Sequence, residues 1–341
     1  MIKSFLIVFR KGAAAMRKFA VLLLAFLLLC GTALADTVPF GSVSFDRDAE
    51  SIDLGEQAVR NWSAFVSFLK EFPNLKKVDM FATTVDAARV EKLEKEFPDV
   101  EFGWNLKMMR YHIIRSDAEA YSTLHGRHPK HTSSEFALLK YCTGLKALDL
   151  GHNNITDTSF LLSMPHLRVL ILGDNNNLKN IEIVGQLKEL EYLELFSCGI
   201  TDISPLTNLT NLMDLNLSNN RVKDWRPLKQ MTWLKRLWIS GICTGKRSRP
   251  DLTEAERQEL EEALPDTEIV YVGEPTDNGW RFLDGKEPAP HYDVIRTMFA
   301  SKPMVYIPFE ESPESCPEEE NPGEDDFLIV EEINPEIPPD P

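Results

Sequence analysis

A cysteine and a group of histidines are the residues of this 341-residue sequence whose types could do specific chemistry. Cys198, in the stretch LELFSCGIT, could be a nucleophile, a metal ligand, half of a disulfide or a small buried side chain. His125, His128 and His131 have the spacing H-x-x-H-x-x-H, and His112 precedes them. Neutral imidazole is a common metal ligand, but no carboxylate or cysteine lies between the three histidines. A solvated polar loop is therefore the favoured interpretation, and a metal site is the alternative.

Three acidic residues, Asp149, Glu194 and Asp214, could in principle act as the carboxylate pair of a glycoside hydrolase. Such pairs lie roughly 5–10 Å apart in a deep groove, whereas the repeat described next predicts a shallow face. The sequence contains none of the motifs H-E-x-x-H, G-x-S-x-G or G-x-x-x-x-G-K-[ST]. We therefore expect a protein that is not an enzyme, with no catalytic residues, no cofactor and no metal.

The elements that position these residues repeat along the chain. The pattern LxxLxL recurs in five segments, which begin at Leu145, Leu167, Leu190, Leu212 and Leu234, with isoleucine in place of the last leucine in the fifth. The steps are 22, 23, 22 and 22 residues. A period of about 20–29 residues with this pattern marks a leucine-rich repeat, in which each unit contributes one short strand. Because a single unit cannot bury its apolar edge, the units must stack into a solenoid.

One position of each unit, eight residues after its first leucine, predicts a structural ladder. It is occupied in turn by Asn153, Asn175, Cys198, Asn220 and Ile242. An asparagine here can bond buried backbone groups at the bend after the strand, which would otherwise be costly orphans. Cysteine is small and keeps a weak S–H donor, so it suits the same position. We therefore interpret Cys198 as structural rather than nucleophilic.

Alternate residues of each predicted strand point to the concave face of the solenoid. Those of interest form an aromatic and aliphatic group flanked by acids: Tyr192, Phe196, Trp238, Ile171, Asp149, Glu194 and Asp214. Aromatic residues at the centre of a patch are where protein interfaces concentrate binding energy. We expect these seven side chains to be exposed and to bind a partner. The alternative is that an inserted loop or a cap covers them.

The repeats, with GITDISPLTNLTNL (199–212) the most characteristic stretch, resemble bacterial extracellular leucine-rich repeat proteins of the internalin-like, 22-residue type. The resemblance covers roughly residues 138–242 and implies a curved α/β solenoid with parallel strands on the concave side. In that family the concave face commonly binds another protein. The sequence departs from the pattern at Ile242, at an extra residue near 175–177, and in having no LPxTG sequence.

The flanking sequence predicts further regions. Helical spacing between strand-like stretches predicts capping coils, and thirteen acidic residues, seven prolines and no lysine or arginine after residue 308 predict a disordered tail. The predicted regions are a signal peptide at 1–35 with its start at Met16, N-terminal capping and helix-containing repeat coils at 36–104, an inserted loop at 105–136, the leucine-rich repeat solenoid and its closing coil at 137–273, a C-terminal flank at 274–308 and a disordered acidic Pro-rich tail at 309–341.

The predicted signal peptide and the net charge limit where the protein is located and what it can bind. A basic start, an apolar run and an A-x-A site ending at Ala35 predict export to the cell surface or medium. An uncleaved N-terminal anchor and a lipid on Cys30 remain alternatives. Cleavage would leave 32 basic against 53 acidic residues, a net charge of −21. That charge disfavours nucleic acid and anionic lipid as partners. We expect a monomer without stable membrane insertion after cleavage.

Two hypotheses about function remain open. The first is an exported interaction module that binds a protein, or second to that a glycan, through its concave face. The other is a cell-envelope structural or scaffold protein that acts through its acidic tail.

Overall fold

The computed structural model describes residues 36–109, 112–123, 130–246, 250–274, 276, 279–283 and 287–309. The predicted signal peptide, His125, His128 and the acidic tail from residue 310 onward lie outside these ranges. Within the ranges, none of the helices has the length and apolar content needed to span a bilayer.

The described residues form fifteen strands. In chain order they are β1 Thr37–Phe40, β2 Val43–Asp46, β3 Ser51–Asp53, β4 Lys77–Val85, β5 Glu101–Met109, β6 His112–Arg115, β7 Ala120–Ser122, β8 Ala147–Asp149, β9 Val169–Ile171, β10 Tyr192–Glu194, β11 Asp214–Asn216, β12 Arg236–Trp238, β13 Glu268–Val270, β14 Phe282–Leu283 and β15 Glu287–Pro288. Strands β7 to β13 form one seven-stranded sheet in chain order, and each strand is parallel to its neighbours.

The helices in the same ranges are α1 Trp62–Leu69, α2 Ala87–Glu96, α3 Glu254–Ala263 and α4 Pro290–Ala300. Short 3₁₀ segments return the chain between the strands of the large sheet, at Ser133–Tyr141, Ser159–Ser163, Val184–Gln186, Ser204–Asn208 and Arg226–Gln230. The predicted curved solenoid, with parallel strands on one side and 3₁₀ segments on the other, is confirmed.

Stacking is in register, so equivalent residues of successive coils lie side by side. Leu193 of β10 is paired with Leu170 of β9 and Leu215 of β11. All three leucines are fully buried. Because strand side chains alternate, the residues on either side of each leucine point to the opposite, concave face.

The bend after each strand is fixed by hydrogen bonds from the ladder side chains. Asn220 accepts from the backbone N–H groups of residues 198–200 at 3.0–3.2 Å and donates to the carbonyls of Leu195 and Leu217 at 2.9 and 2.8 Å. The Cys198 thiol donates to the carbonyls of Leu172 and Phe196 at 3.3 and 3.4 Å. Burial raises the pKa of this thiol to about 12, so it stays protonated at neutral pH and is a poor nucleophile.

The remaining asparagines of the ladder are bonded in the same manner. Asn175 accepts from the Ile155 N–H at 2.8 Å and donates to two carbonyls, those of residues 150 and 172. Asn153 accepts from the His131 N–H and donates to the carbonyls of residues 150 and 151. Each asparagine or cysteine side chain of the ladder therefore ties its own coil to a neighbour.

A left-handed residue precedes each ladder position. The φ angles are 57° at His152, 60° at Asp174, 53° at Ser197, 56° at Asn219 and 64° at Gly241. Short polar side chains tolerate this conformation better than branched or bulky ones. The five coils that contain β8 to β12 therefore turn away from their strands through the same backbone geometry.

The N-terminal region is a separate four-stranded sheet in the order β3-β4-β5-β6. Helix α1 packs Phe65, Phe68 and Leu69 into the core, and α2 begins at Asp86, whose side chain accepts from the Arg89 N–H at 2.9 Å. At the other end, α3 begins at a capping box formed by Thr253 and Glu256.

The predicted inserted loop at 105–136 is wrong in its described part. β5 continues to residue 109, β6 pairs antiparallel with it, and β7 is the first strand of the large sheet. His112 and His131 are buried, with ring centroids 5.3 Å apart, rather than solvated. β6 and β7 have only four and three residues and lie outside the five leucine-patterned segments, so neither period nor length indicated them.

Replacing Leu193 by alanine tests the stacked core. We expect Leu193→Ala to lower the free energy of unfolding by about 2–5 kcal/mol, because a fully buried leucine leaves a cavity. The measurement is urea denaturation followed by circular dichroism. Leu162→Ala is the matched control, because that leucine is 57% exposed and its loss should change the free energy little. Equal losses in the two variants would contradict the packing described.

Candidate functional site

The concave face brings the predicted site residues together in rows. One row runs across the strands through Asp149, Ile171, Glu194, Asn216 and Trp238, and the next through Tyr192 and Asp214. Strands are spaced about 4.8 Å apart, so the row positions are contiguous. Phe196 follows β10, and its ring lies over Gly173, where a Cβ would be 2.1 Å from the ring. Any larger residue at 173 would displace that ring.

The prediction that these seven residues are exposed is wrong. Tyr192, Glu194 and Asp214 are fully buried, and Trp238, Ile171, Asp149 and Phe196 are 1–4% exposed. The cause is a part of the C-terminal flank, residues 279–283 and 287–309, which lies across the concave face. We call this part the covering segment. The repeat pattern shows which side chains point to the face but contains no information about what lies above them.

An apolar contact holds the covering segment. The Trp280 ring centroid lies 5.4 Å from those of both Tyr192 and Trp238. Helix α4 adds apolar side chains at helical spacing, namely Val294, Ile295, Met298 and Phe299, all buried against the face. These residues form a second apolar cluster, and the core between the strands and the 3₁₀ segments contains none of them.

Glu194 is the centre of the polar contacts. Its Oε1 accepts from the Trp280 Nε1–H at 2.8 Å, from Arg281 Nε at 3.0 Å and from the Tyr192 hydroxyl at 2.5 Å. Its Oε2 accepts from Arg281 Nη2. Burial and the Glu194 charge raise the pKa of the Tyr192 hydroxyl well above its ordinary value. Arg281 thus neutralises a carboxylate with no exposure to water.

Asp214 and Arg236 form the second polar contact. Arg236 Nη1 lies 3.0 Å from Asp214 Oδ2, and His291 Nδ1 lies 2.8 Å from the same oxygen. Arg236 Nη2 also donates to the carbonyls of Gly279 and Trp280, at 2.6 and 2.8 Å. The face therefore binds both the backbone and the side chains of the covering segment.

Asp149 lies at the side of the face, and none of the cations that the structure describes is in direct contact with it. It accepts from the Gly151 N–H at 3.0 Å and from the Ser122 hydroxyl at 3.3 Å. Burial raises its pKa to about 6, although the Gly151 hydrogen bond and the Arg281 charge oppose the change. The carboxyl is therefore held in an environment that favours its neutral form.

The three carboxylates of this face are all engaged or covered in the structure. Glu194 and Asp214 are occupied by ion pairs, and Asp149 is covered. In the described ranges, His, Cys, Asp and Glu side chains do not gather in threes that could bind a metal ion.

Sequence reasoning missed the residues that complete the face, Trp280, Arg281 and His291. The usable signal was a tryptophan–arginine pair followed by PHYDVIRTMF, whose apolar residues have helical spacing.

Comparison with known proteins agrees with the repeat assignment. Residues 143–187 match the sequence model of the family described as Leucine Rich repeats (2 copies). This part of the chain consists of leucine-rich repeats, in agreement with its solenoid fold. The resemblance predicted from the sequence is thereby confirmed.

Similar proteins of this leucine-rich repeat chain include one curated sequence and several solved structures. A Roc-COR-CHAT protease from an unknown prokaryotic organism is 27% identical over 143 residues, which are 39% of this chain and 14% of that protein. Internalin C2 of Listeria monocytogenes is 24% identical, with a TM-score of 0.35, over 47% of this chain and 76% of its own. Internalin F of the same organism is 17% identical, with a TM-score of 0.31, over 60% of this chain and 63% of its own.

The raised pKa of Asp149 leads to a pH-dependent prediction. The pKa of Asp149 is about 6 in the folded state and lower in the unfolded state. The free energy of unfolding of the wild type therefore falls as pH rises from about 4 to above 6. Asp149→Asn keeps an oxygen for the Gly151 N–H but cannot ionise. We expect it to be about 3 kcal/mol more stable than wild type at pH 8 and equal to it at pH 4.

Differential scanning calorimetry from pH 4 to pH 8 provides the measurement. Asp266→Asn, which removes an exposed carboxyl, is the control and should follow the wild-type curve. A constant difference between Asp149→Asn and wild type across the range would refute the ionisation argument.

Proposed function

We propose that this leucine-rich repeat protein is an exported, non-enzymatic interaction module that binds a partner protein through its concave face. The residues concerned are those predicted from the sequence: Tyr192, Phe196, Trp238, Ile171, Asp149, Glu194 and Asp214. The observation that carries the proposal is that this face already holds a polypeptide through aromatic contacts, ion pairs and backbone hydrogen bonds. Protein interfaces use the same combination of buried aromatic anchors and satisfied polar contacts.

Partner binding requires the covering segment to move, because its residues occupy the same surface. The segment is joined to β13 by a short connection, which gives it a high effective concentration at the face. An external partner must therefore compete with a tethered one. The repeats do not depend on the segment for their own core, since the two apolar clusters are distinct.

The charge of the face favours a protein over other partners. Two of its three carboxylates, Glu194 and Asp214, are matched by Arg281, His291 and the Trp280 indole of the covering segment. Nucleic acid, which needs clustered Lys and Arg, has no such surface here. A glycan remains the second choice, because carboxylates and aromatic rings also contact sugars.

The scaffold alternative has an observation in its favour. Complete burial of Trp280, Ile295 and Met298 resembles a permanent part of the fold. In that alternative the covering segment never leaves, and the function lies in the acidic tail.

A pull-down from host-surface and bacterial-envelope extracts distinguishes these proposals. The baits are the chain from Asp36, an opened variant (Trp280→Ala with Arg281→Ala), and the opened variant with Tyr192→Ala and Trp238→Ala added. We expect a partner to be enriched by the opened variant over wild type, because its tethered competitor is weakened. The third bait should lose that partner.

Circular dichroism must show that the three baits are equally folded, and hydrogen exchange of α4 must show that the opened variant is open. Equal capture by all three baits would place the binding site elsewhere on the molecule. Capture by none would favour the scaffold alternative.

A further inference from the structure

Glu194 has the features of a receptor group for a cation. The side chain is fully buried, and the covering segment supplies three of the four hydrogen bonds to its oxygens. With the segment away, the described contact that remains is the Tyr192 hydroxyl. A carboxylate in an apolar surrounding needs a paired charge, because an uncompensated one is strongly destabilising. Glu194 thus selects a positively charged ligand.

The surroundings of Trp280 define a slot for an aromatic ring. Tyr192 and Trp238 contact the ring, and Arg236 Cζ lies 4.7 Å above its centroid. Trp280 directly precedes Arg281 in the chain. An aromatic ring stacked among rings and a guanidinium gains both burial and cation–π attraction. The slot and Glu194 therefore receive two adjacent residues of one chain.

Arg236 also binds the backbone of the covering segment, a contact that does not depend on which side chains the segment carries. Its Nη2 binds the carbonyls of Gly279 and Trp280, which any polypeptide in the same path would present. Backbone contacts give affinity without sequence preference, as they do when a strand is added to a sheet. Sequence preference must then come from the two side chains at positions 280 and 281.

The fit of the covering segment is incomplete. Among the residues that the structure describes, Trp238 Nε1, Ser218 Oγ and Asp214 Oδ1 are buried without a hydrogen-bond partner. Buried polar atoms without partners weaken an interface. A ligand that also satisfies them would make hydrogen bonds that the covering segment does not make.

We propose that the concave face recognises, in its partner protein, an aromatic residue followed directly by arginine, and that Trp280–Arg281 is an internal copy of that pair. The inference rests on the proposed function and adds the chemistry of the partner. The internal copy occupies the face until a segment with the same pair, and with donors for Asp214 and Ser218, replaces it.

A labelled peptide tests this recognition directly. The probe is a fluorescein-labelled peptide with the sequence of residues 276–309, measured by fluorescence polarisation against the full chain from Asp36. We expect it to bind the opened variant and to bind wild type far more weakly, because the tethered copy competes. If the opened variant does not keep the circular dichroism of wild type, Arg281→Ala alone replaces it.

Matched changes on both sides isolate the pair. A peptide with Arg281→Ala should bind the opened variant roughly 30-fold more weakly or worse, since a buried carboxylate then lacks its cation. Arg281→Lys in the peptide should also bind more weakly, because ammonium cannot contact both carboxylate oxygens as the guanidinium does. Glu194→Gln in the opened protein should abolish the difference between these peptides. A peptide with Arg296→Ala is the control, because Arg296 is exposed and pairs within α4.

The outcomes separate this inference from the proposed function. A peptide that binds equally well with and without the tryptophan and arginine would overturn the recognition chemistry and leave the concave face as a binding site. No binding to a folded, opened protein would also overturn it. If the pull-down baits additionally show no dependence on Tyr192 and Trp238, the proposed function fails as well.

Discussion

In-register stacking of parallel coils is the constraint on which the rest of this structure depends. It places equivalent residues of successive coils about 4.8 Å apart, so each choice at one position is repeated along a row. On the inner side the rows are leucine and bury one another completely. At the bend the rows are asparagine or cysteine, which bond backbone groups of two coils. On the concave side the same rule gathers carboxylates, and the repeats themselves supply few cations to match them.

The covering segment resolves that imbalance. Arg281 and His291 contact Glu194 and Asp214, and Arg236 of the repeats turns its remaining donors to the backbone of the segment. Charge neutralisation and apolar burial thus act at the same place. A surface with these properties is receptive to a polypeptide, and the chain satisfies it with its own. In a scaffold the covering segment stays on the face permanently, whereas in an interaction module it competes with a partner for the face.

The sequence predicted the parts of the fold that follow from local period. Spacing of leucines gave the strands, their register and the side on which Tyr192, Glu194 and Trp238 lie. It could not predict the covering segment, because Trp280 and Glu194 are 86 residues apart and their contact does not recur along the repeats. The same limit explains the error at 105–136, where His112 belongs to a four-residue antiparallel strand outside the repeat. Seven site residues were therefore placed on the correct face but in the wrong environment.

The contacts of the covering segment also bear on the evolution of repeat number. The coils that contain β8 to β12 each leave the strand through a residue in the left-handed conformation. A duplicated unit could therefore enter the array without altering the backbone of its neighbours. Yet Trp280 and Arg281 meet β10 and β12 at once, and His291 meets β11 between them. An extra coil inserted there would separate these contacts by one strand spacing. The contacts of the segment therefore disfavour duplication or loss of a coil in this part of the array.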